Sequence, residues 1–309
     1  MKIFKWFILL VVLVSLFSCT SNPAPVPQTK PVVFVTIPPQ AWIVEKIAGD
    51  KVDVQVLVKP GQDVHTFSPT PKQLSQLADA KGFFGIGLPI EETLIPKIKS
   101  NLKSLQIFDA SKNTHTPAED YAKDDLKVTV EADHDHDHHN GIDRHIWLDP
   151  VLVMTIVTNT ANGLSELFPD DKPTFTDNAY KVLMELKSLY GNLETELKPI
   201  RGKSFLVTHP AYGHFARRFG LHQVALEVHG KEPGPKQLEQ IMKKAEEIHA
   251  TTVFVQPQLS EATAKTLASE LKLRIVPLDP LARDIPANLQ HIAKALVEAL
   301  QPKSDTPKE

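Results

Sequence analysis

From Val32 onward the chain alternates short apolar runs of strand length with amphipathic stretches of helical period. Runs at 32–37, 52–58, 82–86 and 104–108 predict strands, with helices at 40–48, 71–80 and 91–99 between them and another at 151–167. Over 173–197, Tyr180, Leu183, Leu186, Leu189, Leu193 and Leu197 recur at steps of three and four, the mark of one long amphipathic helix. The alternation then resumes, with strands at 204–207, 223–228, 252–255 and 274–278 and helices at 212–219, 235–249, 261–271 and 287–300. Strands alternating with helices imply parallel sheets covered by helices. The expected fold is α/β: two lobes, each a mainly parallel sheet flanked by helices, bridged by one long rigid helix. The expected boundaries are an N-terminal lobe over 32–172, a linking helix over 173–199, a C-terminal lobe over 200–301 and a tail over 302–309.

The segment before Val32 follows another pattern. Lys2 and Lys5 precede an apolar run over 6–17, and no Asp, Glu, Lys or Arg falls between Trp6 and Thr29. The run is short for a membrane span and reads as a secretory signal over 1–18. It ends in Leu16-Phe17-Ser18-Cys19, which resembles a bacterial lipobox, although Phe17 is bulkier than the usual residue there. Cys19 is then the expected lipidation site. Residues 19–31, with Pro23, Pro25, Pro27 and Pro31, form an extended tether. The expected location is extracytoplasmic, lipid-anchored to a bacterial membrane, either in the periplasm or at the cell surface.

Composition narrows the chemistry. The formal net charge of -3 over 309 residues gives no basic footprint, so no nucleic-acid partner is expected. A single cysteine excludes an intramolecular disulfide and a Cys-based zinc finger. No coiled coil is evident, so a monomer is expected. Attention shifts to the 13 histidines.

Four of them, His134, His136, His138 and His139, sit in a run with Asp133, Asp135 and Asp137, too polar to build a core. Imidazole with carboxylate suits Zn, Cu and Ni, so this run is expected to be an auxiliary metal-collecting loop, the alternative being a solvated linker. Other histidines stand where strands end. His65 follows strand 52–58, His209 follows strand 204–207, and Asp279 follows strand 274–278; His145 lies in Arg144-His145-Ile146-Trp147. Carboxyl ends of parallel strands line the ligand crevice. Two facing lobes could bring these four groups together, and three imidazoles with a carboxylate are a good shell for Zn²⁺. Each alone reads more readily as a capping, surface or turn residue. His115, His214, His222, His229, His249 and His291 read as surface or satisfied side chains.

With those residues in place, the chain resembles the metal-binding receptors of ABC importers, the cluster A-I solute-binding proteins, over nearly all of 31–301. The matching motifs are Gly61-Gln62-Asp63-Val64-His65-Thr66-Phe67-Ser68-Pro69-Thr70-Pro71, Asp143-Arg144-His145-Ile146-Trp147-Leu148-Asp149-Pro150, Thr208-His209-Pro210-Ala211-Tyr212-Gly213-His214-Phe215 and Leu278-Asp279-Pro280-Leu281. The resemblance implies two α/β lobes bridged by a long helix, metal ligands at His65, His145, His209 and Asp279, and an ABC permease as partner. Val64 and Arg144 stand where the family often has Pro, and Pro210 stands where an Asp commonly follows the third ligand. Proline offers no backbone N–H.

Members that resemble manganese receptors carry a carboxylate at the third ligand, where this chain has His209. A nitrogen-rich shell favours Zn²⁺ over Mn²⁺. The expected function is an extracytoplasmic receptor that captures Zn²⁺ between lobes and delivers it to the permease, without catalysis. A surface metal buffer or adhesin would use the same site. A zinc hydrolase is the third reading, though no His-Glu-x-x-His is present and a filled fourth position would close the site.

Overall fold

The computed structural model describes residues 30–114, 143–226, 234–258 and 262–301. The expected signal segment, Cys19, most of the tether, His134, His136, His138, His139 and the tail lie outside these residues.

Two four-stranded parallel sheets carry the fold. The first has order β2-β1-β3-β4, from β1 (Val32–Val35), β2 (Asp53–Val56), β3 (Gly82–Gly85) and β4 (Gln106–Asp109). The second repeats that order as β6-β5-β7-β8, from β5 (Ser204–Val207), β6 (His222–Ala225), β7 (Thr252–Val255) and β8 (Arg274–Pro277). Registers are continuous: Val35 pairs with Val56 on one side and Phe84 on the other. The helices are α1 (Pro38–Ala48), α2 (Pro71–Ala78), α3 (Pro89–Asn101), α4 (Pro150–Leu167), α5 (Lys172–Leu197), α6 (Gly213–Arg218), α7 (Pro235–Glu247), α8 (Ala262–Leu271) and α9 (Ile285–Leu300).

Several helices begin earlier than apolar periodicity alone suggests, because proline suits the first turn, where its missing N–H has no intrahelical partner anyway. α1 starts at Pro38, and Gln40 turns back to accept the N–H groups of Thr36 and Ile37 at 2.9 and 3.2 Å. α4 starts at Pro150 behind Asp149, whose Oδ1 accepts from Val151 N at 2.8 Å. α2 carries a reciprocal cap between Thr70 and Gln73, and the Gln73 amide also reaches Leu57 O at 2.7 Å, tying the helix to the end of β2.

The long helix is where the expected spacing, at half its length, is off by one position. The buried line of α5 runs Phe175, Ala179, Val182, Leu186, Leu189, Leu193 and Leu197, while Tyr180 is 64% exposed. Tyr180 sits about 100° round the helix from Ala179, and small Ala179, not the aromatic ring, fills the interface. α5 packs on α1 and α4 at one side and on α9 at the other. One hydrophobic core therefore runs unbroken from Val33 and Phe84 in the first lobe, through Trp147, Phe175 and Leu186, to Phe205 and Leu289 in the second. Separate clusters close the outer faces, around Phe83 and Leu94 in the first lobe and around Val253 and Ile241 in the second.

Strand order reverses between β1 and β3 and again between β5 and β7, and such switch points leave a crevice at the carboxyl ends. In the first lobe the chain fills it with its own side chain. Glu91 is buried and accepts from Ile86 N at 3.0 Å, Gly87 N at 2.9 Å and the Thr36 hydroxyl. In the second lobe the crevice is left for His209 after β5 and for Gln256 and Gln258 after β7.

Candidate metal centre

Three imidazoles meet between the lobes. His65 rides on the loop after β2, which leaves the strand through a tight turn: Gln62 N reaches Lys59 O at 3.1 Å, with Pro60 and Gly61 at the corner. Gly61 has φ +81°, a conformation that only a residue without Cβ adopts cheaply. His145 precedes a single 3-10 turn over Ile146–Leu148. His209 follows β5 directly, where Thr208 N still reaches Phe254 O at 2.9 Å.

His65 Nε2 lies 3.2 Å from His209 Nε2, which lies 3.3 Å from His145 Nε2. Among the described residues these three form the one group of His, Cys, Asp or Glu side chains whose ligand atoms all lie within 4.8 Å of one another. With Zn–N bonds of 2.0–2.1 Å, neighbouring ligands of a tetrahedron stand about 3.3 Å apart. The two separations from His209 match that edge, and the third pair of nitrogens lies within 4.8 Å. His145 and His209 are 8% and 7% exposed, whereas His65 is exposed and forms the solvent side. A void of ≈ 10 Å³ lies among the imidazoles, walled by Asp63, Val64, Trp147, Gln256, Gln258, Pro280 and Leu281.

Asp279 is not in that group. Its Oδ1 accepts from the Gln258 amide at 2.5 Å and from Leu281 N at 2.9 Å.

Behind the imidazoles stand residues that periodicity does not single out. Asp143 Oδ1 lies 2.8 Å from His145 Nδ1 and accepts the His145 backbone N–H at 2.9 Å. The carboxylate keeps the proton on Nδ1 and leaves Nε2 as the lone pair that faces the centre. His145 is pushed below the usual His range by burial, with the neighbouring His209 and His214 acting in the same direction and Asp143 against them. Burial opposes the charge on Asp143, yet the bonds and attraction of His145 and His214 hold its carboxyl below the usual range. Buried His214 brings Nε2 to 3.0 Å from the Asp143 carbonyl, as a satisfied interior histidine. Gly213 permits this: a Cβ there would stand 2.7 Å from Asp143 Oδ2. The signal for this carboxylate was the spacing Asp-x-His, which two of the three imidazoles carry, at His65 and His145. Asp63 likewise accepts the backbone N–H of His65 at 2.9 Å.

Other bonds tie the segments at this level together, those of Trp147 and Arg218 across the two lobes and the rest within one lobe. Trp147 donates its indole N–H to Pro280 O at 2.7 Å, Tyr212 its hydroxyl to Leu278 O at 2.9 Å, and Asn288 its amide to Asp279 O at 2.9 Å. Arg218 pairs with buried Asp149 at 2.9 Å. Arg144 holds Gly87 O at 2.9 Å and Glu92 at 3.0 Å, anchoring the His145 segment to the start of α3.

Two parallel α/β lobes with three convergent imidazoles between them form a site that can hold a metal cation. The chain belongs to the family described as zinc-uptake complex component A, periplasmic, whose model matches residues 33–301. It is 27% identical over 290 residues to the zinc-binding protein AdcA of Streptococcus pyogenes, covering 90% of this chain and 56% of that protein. The chain thus spans about half the length of these streptococcal relatives. It is 29% identical over 268 residues to the high-affinity zinc uptake system protein ZnuA of Yersinia pestis, covering 82% of this chain and 84% of the relative. Among solved structures, a crystal structure of ZnuA matches with TM-score 0.78 and 34% identity, covering 88% of this chain and all of that one. A laminin-binding protein of Streptococcus agalactiae, described as adhesin and metal transporter, matches with TM-score 0.72 and 25% identity, covering 88% and 100% of the two chains.

Proposed function

We propose that this protein is an extracytoplasmic zinc receptor that captures Zn²⁺ on His65, His145 and His209 and hands it to an ABC permease. The observation that carries the reading is the nitrogen triangle, with edges of 3.2 and 3.3 Å between side chains from three separate segments. Three neutral nitrogen donors favour Zn²⁺ over Mn²⁺, which prefers oxygen. The cation is cargo, and nothing in the cycle requires a bond in it to be broken. Capture needs neutral imidazoles, and the exposed edge of His65 is the way in and out. Asp279 is the candidate fourth ligand, the other candidate being water.

In this reading Cys19 carries the lipid that keeps the receptor on its membrane as a monomer, and His134, His136, His138 and His139 form an auxiliary metal-collecting loop. Among the described residues no helix is long and apolar enough to cross a membrane. Zinc and manganese competing for the purified protein test the selectivity, and growth of a deletion strain in chelated medium tests the transport role. Zinc should win by orders of magnitude, and the strain should fail until zinc is restored. Comparable affinities or unimpaired growth would contradict the reading.

A further inference from the structure

The three imidazoles and Asp279 are held by different means, and the difference points to Gln258. Asp279 lies on the loop that Trp147, Tyr212 and Asn288 fix from three sides, so its backbone has little freedom. Its side chain still stands outside the grouping of His65, His145 and His209. Both hydrogen bonds seen on the carboxylate fall on Oδ1, from Gln258 Nε2 at 2.5 Å and Leu281 N at 2.9 Å. Only the amide nitrogen of Gln258 can donate to a carboxylate, so the orientation of this amide follows from its partner. Gln258 Oε1 is buried with no partner among the described residues. The amide therefore gives up one of its own hydrogen bonds while holding Asp279. Gln258 also walls the void between the imidazoles.

Building on the zinc-receptor reading, we infer that Gln258 is a positioning residue that restrains Asp279 from the metal. With the restraint engaged, the cation is held by three imidazoles and a water. Asp279 joins only when its bond to Gln258 breaks. A hydrogen bond to a charged acceptor is among the stronger ones in a protein, so this competition is large enough to set affinity. The consequence suits a receptor that must let its cargo go. A neutral His₃ shell binds zinc and releases it more readily than a shell closed by a fixed carboxylate.

The test is Gln258→Ala, Asp279→Ala and the double variant in the full mature chain, read by cobalt substitution and by zinc affinity under competition. In the parent protein Asp279→Ala should leave the cobalt d–d bands unchanged and move zinc affinity by less than about threefold. Gln258→Ala should shift the bands and tighten zinc roughly tenfold or more, the scale of one charge-assisted hydrogen bond. Adding Asp279→Ala should cancel both effects. A band shift from Asp279→Ala alone would make Asp279 a standing ligand and overturn the inference. So would Gln258→Ala with unchanged spectrum and affinity. Should Gln258→Ala fail to fold, Gln258→Met, which removes the donor and keeps the volume, takes its place with the same expected outcomes. A parallel His209→Ala sample separates the levels. If it retains the zinc site, the receptor reading itself fails; if it loses the site, the result for Gln258 stands alone.

Discussion

Oδ1 of Asp143 lies 2.8 Å from Nδ1 of His145 and 2.9 Å from the same residue's backbone nitrogen, so one oxygen fixes both the ring and the peptide that carries it. Carboxylates behind metal-binding imidazoles typically contribute 10- to 100-fold in affinity. Asp143→Ala should therefore weaken zinc by about that factor in a competition titration while one equivalent still binds. Unchanged affinity would mean the ring is positioned by packing alone.

Affinity should also fall on acidification. Zinc displaces protons from imidazoles, whose ordinary value is about 6.5. Burial keeps His145 neutral to lower pH. Zinc titrations between pH 8 and pH 5 should show a steep decline below about 6.5, and flat affinity across that range would contradict an imidazole shell.

Glu91 gives a pH dependence unrelated to metal. Burial raises its carboxyl above the usual range, with Asp109 adding to it and the donors Thr36, Ile86 and Gly87 opposing. A raised folded value means the folded protein binds the proton more tightly than the unfolded chain. The stability it contributes is complete below the unfolded value of about 4.5 and is lost as pH rises through the folded value. Glu91→Gln should flatten that part of the profile in urea melts. Glu91→Ala, which strands the donors of Thr36, Ile86 and Gly87, should cost on the order of 3 kcal/mol. Parallel pH profiles for the parent and Glu91→Gln would refute the assignment.

Much of the architecture was legible because each lobe spells strand and helix in separate runs, with proline and glycine between them. Each of the eight strands overlaps an expected run, β4 and β6 shifted by one residue at an end. The long helix was legible in extent but not in face: Tyr180 fitted the step of three, yet Ala179 is what packs. Periodicity weighs apolar size, whereas a close helix contact selects small side chains. His65 and His209 were legible because they follow strands and His145 because of the motif around it, and their supporting groups were not. Asp143, Gln258 and Trp147 act through partners 2 to 133 positions away, and only the folded chain shows those pairings.

The core that runs unbroken through Trp147, Phe175 and Leu186 bears on motion. Opening the lobes widely would expose it, and the bond from Trp147 to Pro280 would break. X-ray scattering from metal-free and zinc-loaded protein should superimpose apart from small loop changes. A marked drop in radius of gyration on zinc addition would show a hinge this account lacks. Trp147→Phe, which strands the Pro280 carbonyl, should cost about 1–2 kcal/mol in thermal unfolding.

The central claim is that zinc sits between the lobes and not in the His-rich run. Zinc titration of residues 20–309 tests it most directly, comparing the parent with His65→Ala, His209→Ala and a deletion of 134–139. The account predicts one tight site, lost in both histidine variants and kept in the deletion. Loss in the deletion with retention in the histidine variants would contradict it, and would make the protein a loop-based metal buffer.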